Sequence, residues 1–202
     1  MTLTWYGHAC FLLKTAEGSA VFDPYAPGSV PGLTLPPLRA DAVFCSHGHR
    51  DHGYAQAIAL SGKKPGFRVT QIPCFHDDRH GALRGSNRIH IVEAEGRRVA
   101  HLGDLGHPLD AETLAALHNI DVLMIPVGGY YTIDAKTADA VAKAIDARLV
   151  VPMHYRGATF GYDVIAPVED FLKLRGKVVR LDDNRFDPAE IPGEATIVFS
   201  FQ

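Results

Sequence analysis

Cysteine is scarce in this sequence. Its three copies, Cys10, Cys45 and Cys74, are widely spaced, so neither a disulfide framework nor a paired-cysteine zinc knuckle is expected. Long apolar runs are missing as well: none approaches the roughly 18 to 20 residues that a membrane-spanning helix needs. The start, Met1-Thr2-Leu3-Thr4-Trp5, has neither the basic opening nor the apolar stretch of a secretory signal, and the expected compartment is the cytoplasm. There is no basic run, and the formal net charge is −3, which leaves no clustered Lys/Arg surface of the kind that nucleic acid requires. Nucleic acid is therefore disfavoured as a partner, no membrane is expected, and a small-molecule substrate is the natural alternative. Internal repeats of short period and low-complexity segments are also lacking.

Hydrophobic residues make up 47% and charged residues 21% of the 202 positions, the balance of an ordinary globular protein. That length suits one αβ domain spanning 1–202 better than two very small ones. Apolar patterning predicts strands at Leu3–Tyr6, Ala9–Lys14, Ala20–Phe22, Ala42–Cys45, Phe67–Pro73, Ile89–Glu95 and Val99–Leu102. Glu95-Gly96 reads as a tight hairpin turn, and Pro24 to Pro37, with five prolines and two glycines, as a long surface loop. Beyond Asp104 the pattern becomes helix, strand, helix, strand. Helices are expected at Asp110–His118, Ala135–Ala147 (capped by Asp134) and from Pro167 to about Leu174. Strands are expected at Val122–Pro126, Leu149–Met153, Val178–Leu181 and Thr196–Phe201.

Histidine is the outlier. Eleven occur, eight of them between His47 and His107. Ser46-His47-Gly48-His49-Arg50-Asp51-His52 follows the apolar run Ala42-Val43-Phe44-Cys45 directly, so a strand delivers four potential ligands into the loop at its end. Imidazole and carboxylate suit zinc and similar divalent ions, and His47 and His49, two residues apart on extended chain, can point to the same side. His76, Asp104 and His154 each follow an apolar strand too, and ligands at the ends of different strands can converge on one edge of a layered αβ fold. Seven groups are too many for one tetrahedral ion. Two ions a few ångströms apart would use them all, sharing a carboxylate and a water or hydroxide.

At these residues the sequence resembles the metallo-β-lactamase superfamily, and more closely its L-ascorbate-6-phosphate-lactonase-like branch of zinc-dependent hydrolases. The likeness covers nearly the whole chain. Beside His47–His52 it rests on Thr4-Trp5-Tyr6-Gly7-His8-Ala9-Cys10-Phe11, Asp23-Pro24, Phe75-His76-Asp77 and Arg84-Gly85-Ser86-Asn87. It also rests on His101-Leu102-Gly103-Asp104-Leu105-Gly106-His107, Pro126-Val127-Gly128-Gly129, Thr132-Ile133-Asp134 and Pro152-Met153-His154-Tyr155. The resemblance implies an α/β fold, the four-layer αββα sandwich, with His47, His49 and His76 on a first ion, Asp51, His52 and His154 on a second, and Asp104 bridging them. Zinc is the first expectation, manganese or iron the alternatives. The implied activity is hydrolysis, with hydroxide held between the ions attacking an ester, lactone or phosphoester-type bond. Asp51 would orient the hydroxide or carry its proton, and His154 would help stabilise the oxyanion. A metal-binding sensor or scaffold and a diiron redox protein are the rival readings. The segment between His52 and His76 is shorter than in many relatives, whose insertions there shape the pocket.

Several further residues are candidates for the site. His8, in a tight turn between the first strands, serves either the turn or the substrate. Asp23 either orients a ligand histidine or makes an Asp-Pro turn. Arg84 and Asn87 sit on a loop that can face the site, where an arginine fork suits a carboxylate or phosphate, although a solvated loop is the simpler expectation. Tyr130 and Tyr131 are placed to line the pocket or to pack. His80, His90, His101, His107 and His118 are not expected to bind metal.

Overall fold

Alternation opens the chain. In β1 (Thr2–Trp5) Leu3 and Trp5 are buried while Thr2 and Thr4 are half-buried, the period-two pattern of a strand with one face on a core. The computed structural model describes residues 1–200. β2 (Phe11–Thr15) and β3 (Gly18–Phe22) follow as an antiparallel pair, and after β4 (Leu38–Ala40) the strand β5 (Ala42–Phe44) joins β3 in parallel. β6 (Ile58–Leu60) pairs with β4 alone, as a separate two-stranded ribbon. β7 (Arg68–Phe75), β8 (Ser86–Ala94) and β9 (Arg97–His101) form an antiparallel meander. Its turn is Glu95-Gly96, and both residues have positive φ (52° and 70°), the signature of a two-residue hairpin.

The second half then alternates helix and strand: α1 (Ala111–Ala116), β10 (Val122–Pro126), α2 (Ala135–Ile145), β11 (Leu149–Met153), α3 (Val168–Leu172) and β12 (Val178–Leu181). β13 (Arg185–Phe186) pairs back to β1, and β14 (Ala195–Phe199) slots between β11 and β12. The result is a five-stranded sheet, β13-β1-β2-β3-β5, and a seven-stranded sheet, β12-β14-β11-β10-β9-β8-β7. The expected last strand residue, Phe201, lies outside the described residues.

The two sheets meet through aromatic side chains. Trp5 stacks on Phe199 at 5.8 Å and Phe22 on the His101 ring at 5.3 Å, and Phe11 also approaches Phe199. Each fully buried side chain of this size contributes about 2–3 kcal/mol. α2 lays Ala138, Val141, Ala142 and Ile145 against the core and is capped by Asp134, whose carboxylate accepts from the Thr137 N–H. No α-helix precedes Ala111 among the described residues, and in this α/β sandwich α2 packs on β10 and α3 on β11 of the seven-stranded sheet. No described helix is long and apolar enough to cross a membrane.

Two differences from the expected elements have simple causes. β7 runs through Pro73 to Phe75 because it is the edge of its sheet, where a residue without an N–H is tolerated. β4, β6 and β13 are two or three residues long, too short to show a period. The loop of residues 24–37 is free of regular structure, as expected, but is tied down: the Tyr25 hydroxyl donates to the Tyr6 carbonyl (2.7 Å), and the Tyr162 hydroxyl to the Ser29 carbonyl (2.6 Å).

Candidate metal centre

Strand direction alone brings the ligand candidates to one edge. β9, β10 and β11 are mutually parallel, and β7, antiparallel to β8, which is antiparallel to β9, runs the same way. The residues that follow β7, β9 and β11 (His76, Asp104 and His154) therefore emerge on the same side. The facing sheet supplies the rest: β3 and β5 are parallel with Phe22 opposite Phe44, which sets Asp23 beside Ser46 and launches the loop carrying His47, His49, Asp51 and His52. Gly103 lets the chain turn from β9 into Asp104. It has φ +55°, and a Cβ there would stand 2.4 Å from both Asn87 Oδ1 and Ser46 Cβ.

A buried hydrogen-bond chain fixes two of the imidazoles. Asp23 is fully buried and takes the left-handed conformation (φ 43°), a strained state for a residue with a Cβ. Its carboxylate accepts from the Ser46 N–H and Oγ, both at 2.6 Å, and lies 2.8 Å from His52 Nδ1. A carboxylate neighbour requires the proton on Nδ1, which leaves Nε2 of His52 with a bare lone pair. The Ser46 hydroxyl, already donating to Asp23, must in turn accept from His47 Nδ1 at 2.9 Å, and so sets the same tautomer in His47.

The free nitrogens face Asp104. Its Oδ2 lies 3.0 Å from His76 Nε2, 3.2 Å from His52 Nε2, 3.3 Å from His154 Nε2 and 3.9 Å from His47 Nε2. Around it the ligand atoms fall into overlapping groups, each within 4.8 Å: His47, His49 and His76; His47, His52 and Asp104; and His8, Asp51, His52 and His154. All seven residues expected as ligands are thus gathered, and His8 joins them as a member of the last group. His47 Nε2, His52 Nε2, His76 Nδ1, His154 Nδ1 and Asp104 Oδ1 are buried without a hydrogen-bond partner. Leaving a buried polar atom unpaired costs roughly 1–3 kcal/mol. Five on one cluster of imidazoles and carboxylate fit a set of divalent ions.

Electrostatics act on these donors in both directions. Burial, with neighbouring His52, lowers His47 to about 3, and burial, with His154, lowers His8 to about 4, so both are neutral at pH 7. Burial works against ionised Asp104, but His154 and His52 outweigh it and hold the carboxyl well below its usual range. Burial likewise works against charged His52, yet the carboxylates of Asp104 and Asp23 raise it well above 6.5, so His52 would give up a proton on taking up a cation. Burial opposes ionisation of Asp23 too, but His101 and His52 bring it down to about 2.

The secondary candidates separate cleanly. His8 serves both the turn and the site: at φ 52° its carbonyl accepts from Trp5 Nε1 and from the His154 N–H, while its Nε2 lies 3.3 Å from Asp51 Oδ2. Above the ligands opens a cavity of about 330 Å³, walled by Leu83, Arg84, Tyr131 and Tyr162 over Asp51, Asp104 and three of the histidines. Arg84 therefore faces the site. Tyr130 does not: its side chain is 64% exposed and it contributes only a carbonyl, which accepts from Arg84, whereas Tyr131, one residue on, lines the cavity. Asn87 is also corrected. Buried within β8 rather than on a loop, it accepts from the Asp104 N–H (3.0 Å) and donates to the Leu102 carbonyl (2.9 Å), which positions Asp104. Among the remaining histidines, His101 spends both nitrogens on backbone partners, and His107 Nε2 accepts from the Phe75 N–H.

Sequence reasoning missed Tyr162 and Asp77. The Tyr162 hydroxyl lies 2.6 Å from the Ser29 carbonyl and 3.2 Å from Asp51 Oδ2, two acceptors for its one proton, and burial, then Asp51, raises its pKa so that the proton is kept. Nothing local marks it, because Asp51 is 111 residues away. Asp77, next to His76, accepts four backbone N–H groups of the loop that carries Arg84.

The model of the beta-lactamase superfamily domain matches residues 2–154. A protein of Methanoregula boonei named a UPF0173 metal-dependent hydrolase is 35% identical over 191 residues, 77% of this chain and 82% of the relative. One of the same name from Archaeoglobus fulgidus is 31% identical over 196 residues, covering 77% and 83%. A solved structure of a metallo-beta-lactamase superfamily protein from Thermotoga maritima superposes with a TM-score of 0.76 at 35% identity, over 98% of this chain and 97% of that one. On sequence and on fold alike, the chain belongs to the beta-lactamase superfamily.

Proposed function

We propose that this chain is a single-domain, metal-dependent hydrolase built around two divalent ions, with zinc the first candidate and manganese or iron the alternatives. His47, His49 and His76 would hold one ion, Asp51, His52 and His154 the other, and Asp104 would bridge. The observation that carries the reading is the position of Asp104 Oδ2, within 3.0–3.9 Å of four imidazoles drawn from three different chain segments. The names of the relatives, metal-dependent hydrolases, support it. When bound, the ions would supply Lewis acidity and a water that ionises near neutral pH.

The chain's own residues would do the rest. Asp51 Oδ2, held between His8 Nε2 and the Tyr162 hydroxyl, is placed to orient the attacking water and to take its proton. His154 lines the cavity and is placed to stabilise negative charge developing on the substrate oxygen. Asp23 and Ser46 keep His52 and His47 in the tautomer that presents Nε2. A cavity of about 330 Å³ suits a small ester, lactone or phosphoester. The test is a screen of aryl esters, lactones and phosphodiesters with metal-loaded protein. Turnover should vanish with a chelator and return with zinc or manganese; turnover indifferent to the chelator, or none at all, would count against the proposal.

A further inference from the structure

Among the described residues that line the cavity, Arg84 alone carries a permanently positive side chain. Its guanidinium has one hydrogen bond, from Nη2 to the Tyr130 carbonyl at 3.0 Å, and rests over the Tyr131 ring at 5.8 Å. No carboxylate among the described residues lies within 4.0 Å of it. Nη2 carries two hydrogens and the Tyr130 carbonyl takes one, so one bidentate edge of the planar fork, Nη2 with Nε or with Nη1, is left for a ligand, and such an edge matches the two oxygens of a carboxylate or phosphate.

The side chain is also held in place from behind. Asp77, only 2% exposed, follows His76 directly, and the loop winds around its carboxylate. Oδ1 accepts from the N–H groups of Arg79 (2.8 Å) and Gly81 (2.9 Å), and Oδ2 from those of Leu83 (3.0 Å) and Arg84 (2.7 Å). Four donors saturate the Asp77 carboxylate. Asp77 therefore fixes the backbone of Arg84 without neutralising its charge, and an arginine positioned this way loses little freedom when it binds.

We infer that Arg84 selects the substrate by receiving an oxyanion group, a carboxylate or phosphate, carried on the same small molecule as the bond presented to the metal centre. The inference rests on the hydrolase reading for the place of that bond. Asp77 is then a positioning residue, acting through Arg84.

Calorimetry on the metal-loaded protein with phenylphosphonate, phenylacetate and neutral phenylacetamide tests this without turnover. Wild type should prefer at least one oxyanion over the amide, and the stronger of the two identifies the group as phosphate or carboxylate. R84M should weaken that binding about 10- to 100-fold, the worth of a charge-assisted pair. R84K, keeping charge but losing the fork, should fall between. Asp77→Asn should reduce the oxyanion-to-amide preference in a chain that still folds, which a purely structural role would not do. Direct binding of the probes to the metals is common to all variants and cancels in the comparison. Equal affinities in wild type and R84M, or no oxyanion preference in wild type, would overturn the inference. Arg84-dependent binding without hydrolysis of any ester, lactone or phosphodiester would sink the hydrolase reading alone, and hydrolysis with no Arg84-dependent preference would sink this one alone.

Discussion

His52 and His101 are both fully buried, yet they live in opposite environments. His101 lies within the ladder of β9, opposite His90 of β8, and stacks on Phe22. Its Nδ1 accepts from the Gly103 N–H, so its Nε2 donates to the Ala9 carbonyl, and nothing remains to offer an ion. His52 lies beyond the end of a strand, gives Nδ1 to Asp23 and turns Nε2 toward Asp104. Burial of an imidazole therefore does not mark a ligand. What makes His52 a candidate is that Nε2 is left unpaired and aimed at a carboxylate shared with other imidazoles, a geometry its place beyond the strand end makes possible.

The comparison breaks most easily at Asp104. Asp104→Ala should release both ions and lower kcat/KM by about 10³-fold or more, since metal-centred charge stabilisation is worth several kcal/mol. Full metal content and full activity in that variant would refute the bridging assignment. Asp23→Asn reaches the centre only through His52 and Ser46, and should weaken metal affinity about 10- to 100-fold, the usual cost of losing the partner of a ligand histidine. Competition with a chromogenic chelator measures it; an affinity equal to wild type would mean that the Asp23 chain does not set the tautomers.

The smallest effect belongs to the histidines packed between the sheets. Burial lowers His90, packed near Phe44 and Phe22, from 6.5 to about 4. Its folded form therefore binds fewer protons than the unfolded chain between those values, and the protein loses stability as pH falls from about 6.5 toward 4, by roughly 2 kcal/mol at pH 5 from this group. His90→Phe removes the titration and keeps an aromatic ring against the two phenylalanines. Urea unfolding at pH 7 and pH 5 should show the variant losing less stability than wild type, with metal content unchanged. Equal losses would show that His90 is not held neutral, and lost metal would erase the distinction between the two kinds of histidine.

What the sequence made legible follows from the same distinction. His47, His49, Asp51 and His52 are contiguous, and His76, Asp104 and His154 each stop an apolar run, so both type and placement can be read locally. The Glu95-Gly96 hairpin and the Asp134 cap are local signals of the same kind. Tyr162, Asn87 and Asp77 were opaque because their roles rest on contacts between separate elements or on a loop folding back on itself. Tyr130 and Tyr131 are identical in type and adjacent, so only the backbone decides which faces the cavity, and Tyr130 takes φ 57° in turning away. His8 was ambiguous between turn and site because it does both.

Elemental analysis of the protein purified without added metal, followed by titration with zinc and manganese, tests the central claim most directly. The seven converging candidate ligands, Asp104 among them, predict close to two divalent ions per chain. A protein that carries none and takes up neither metal would contradict the account.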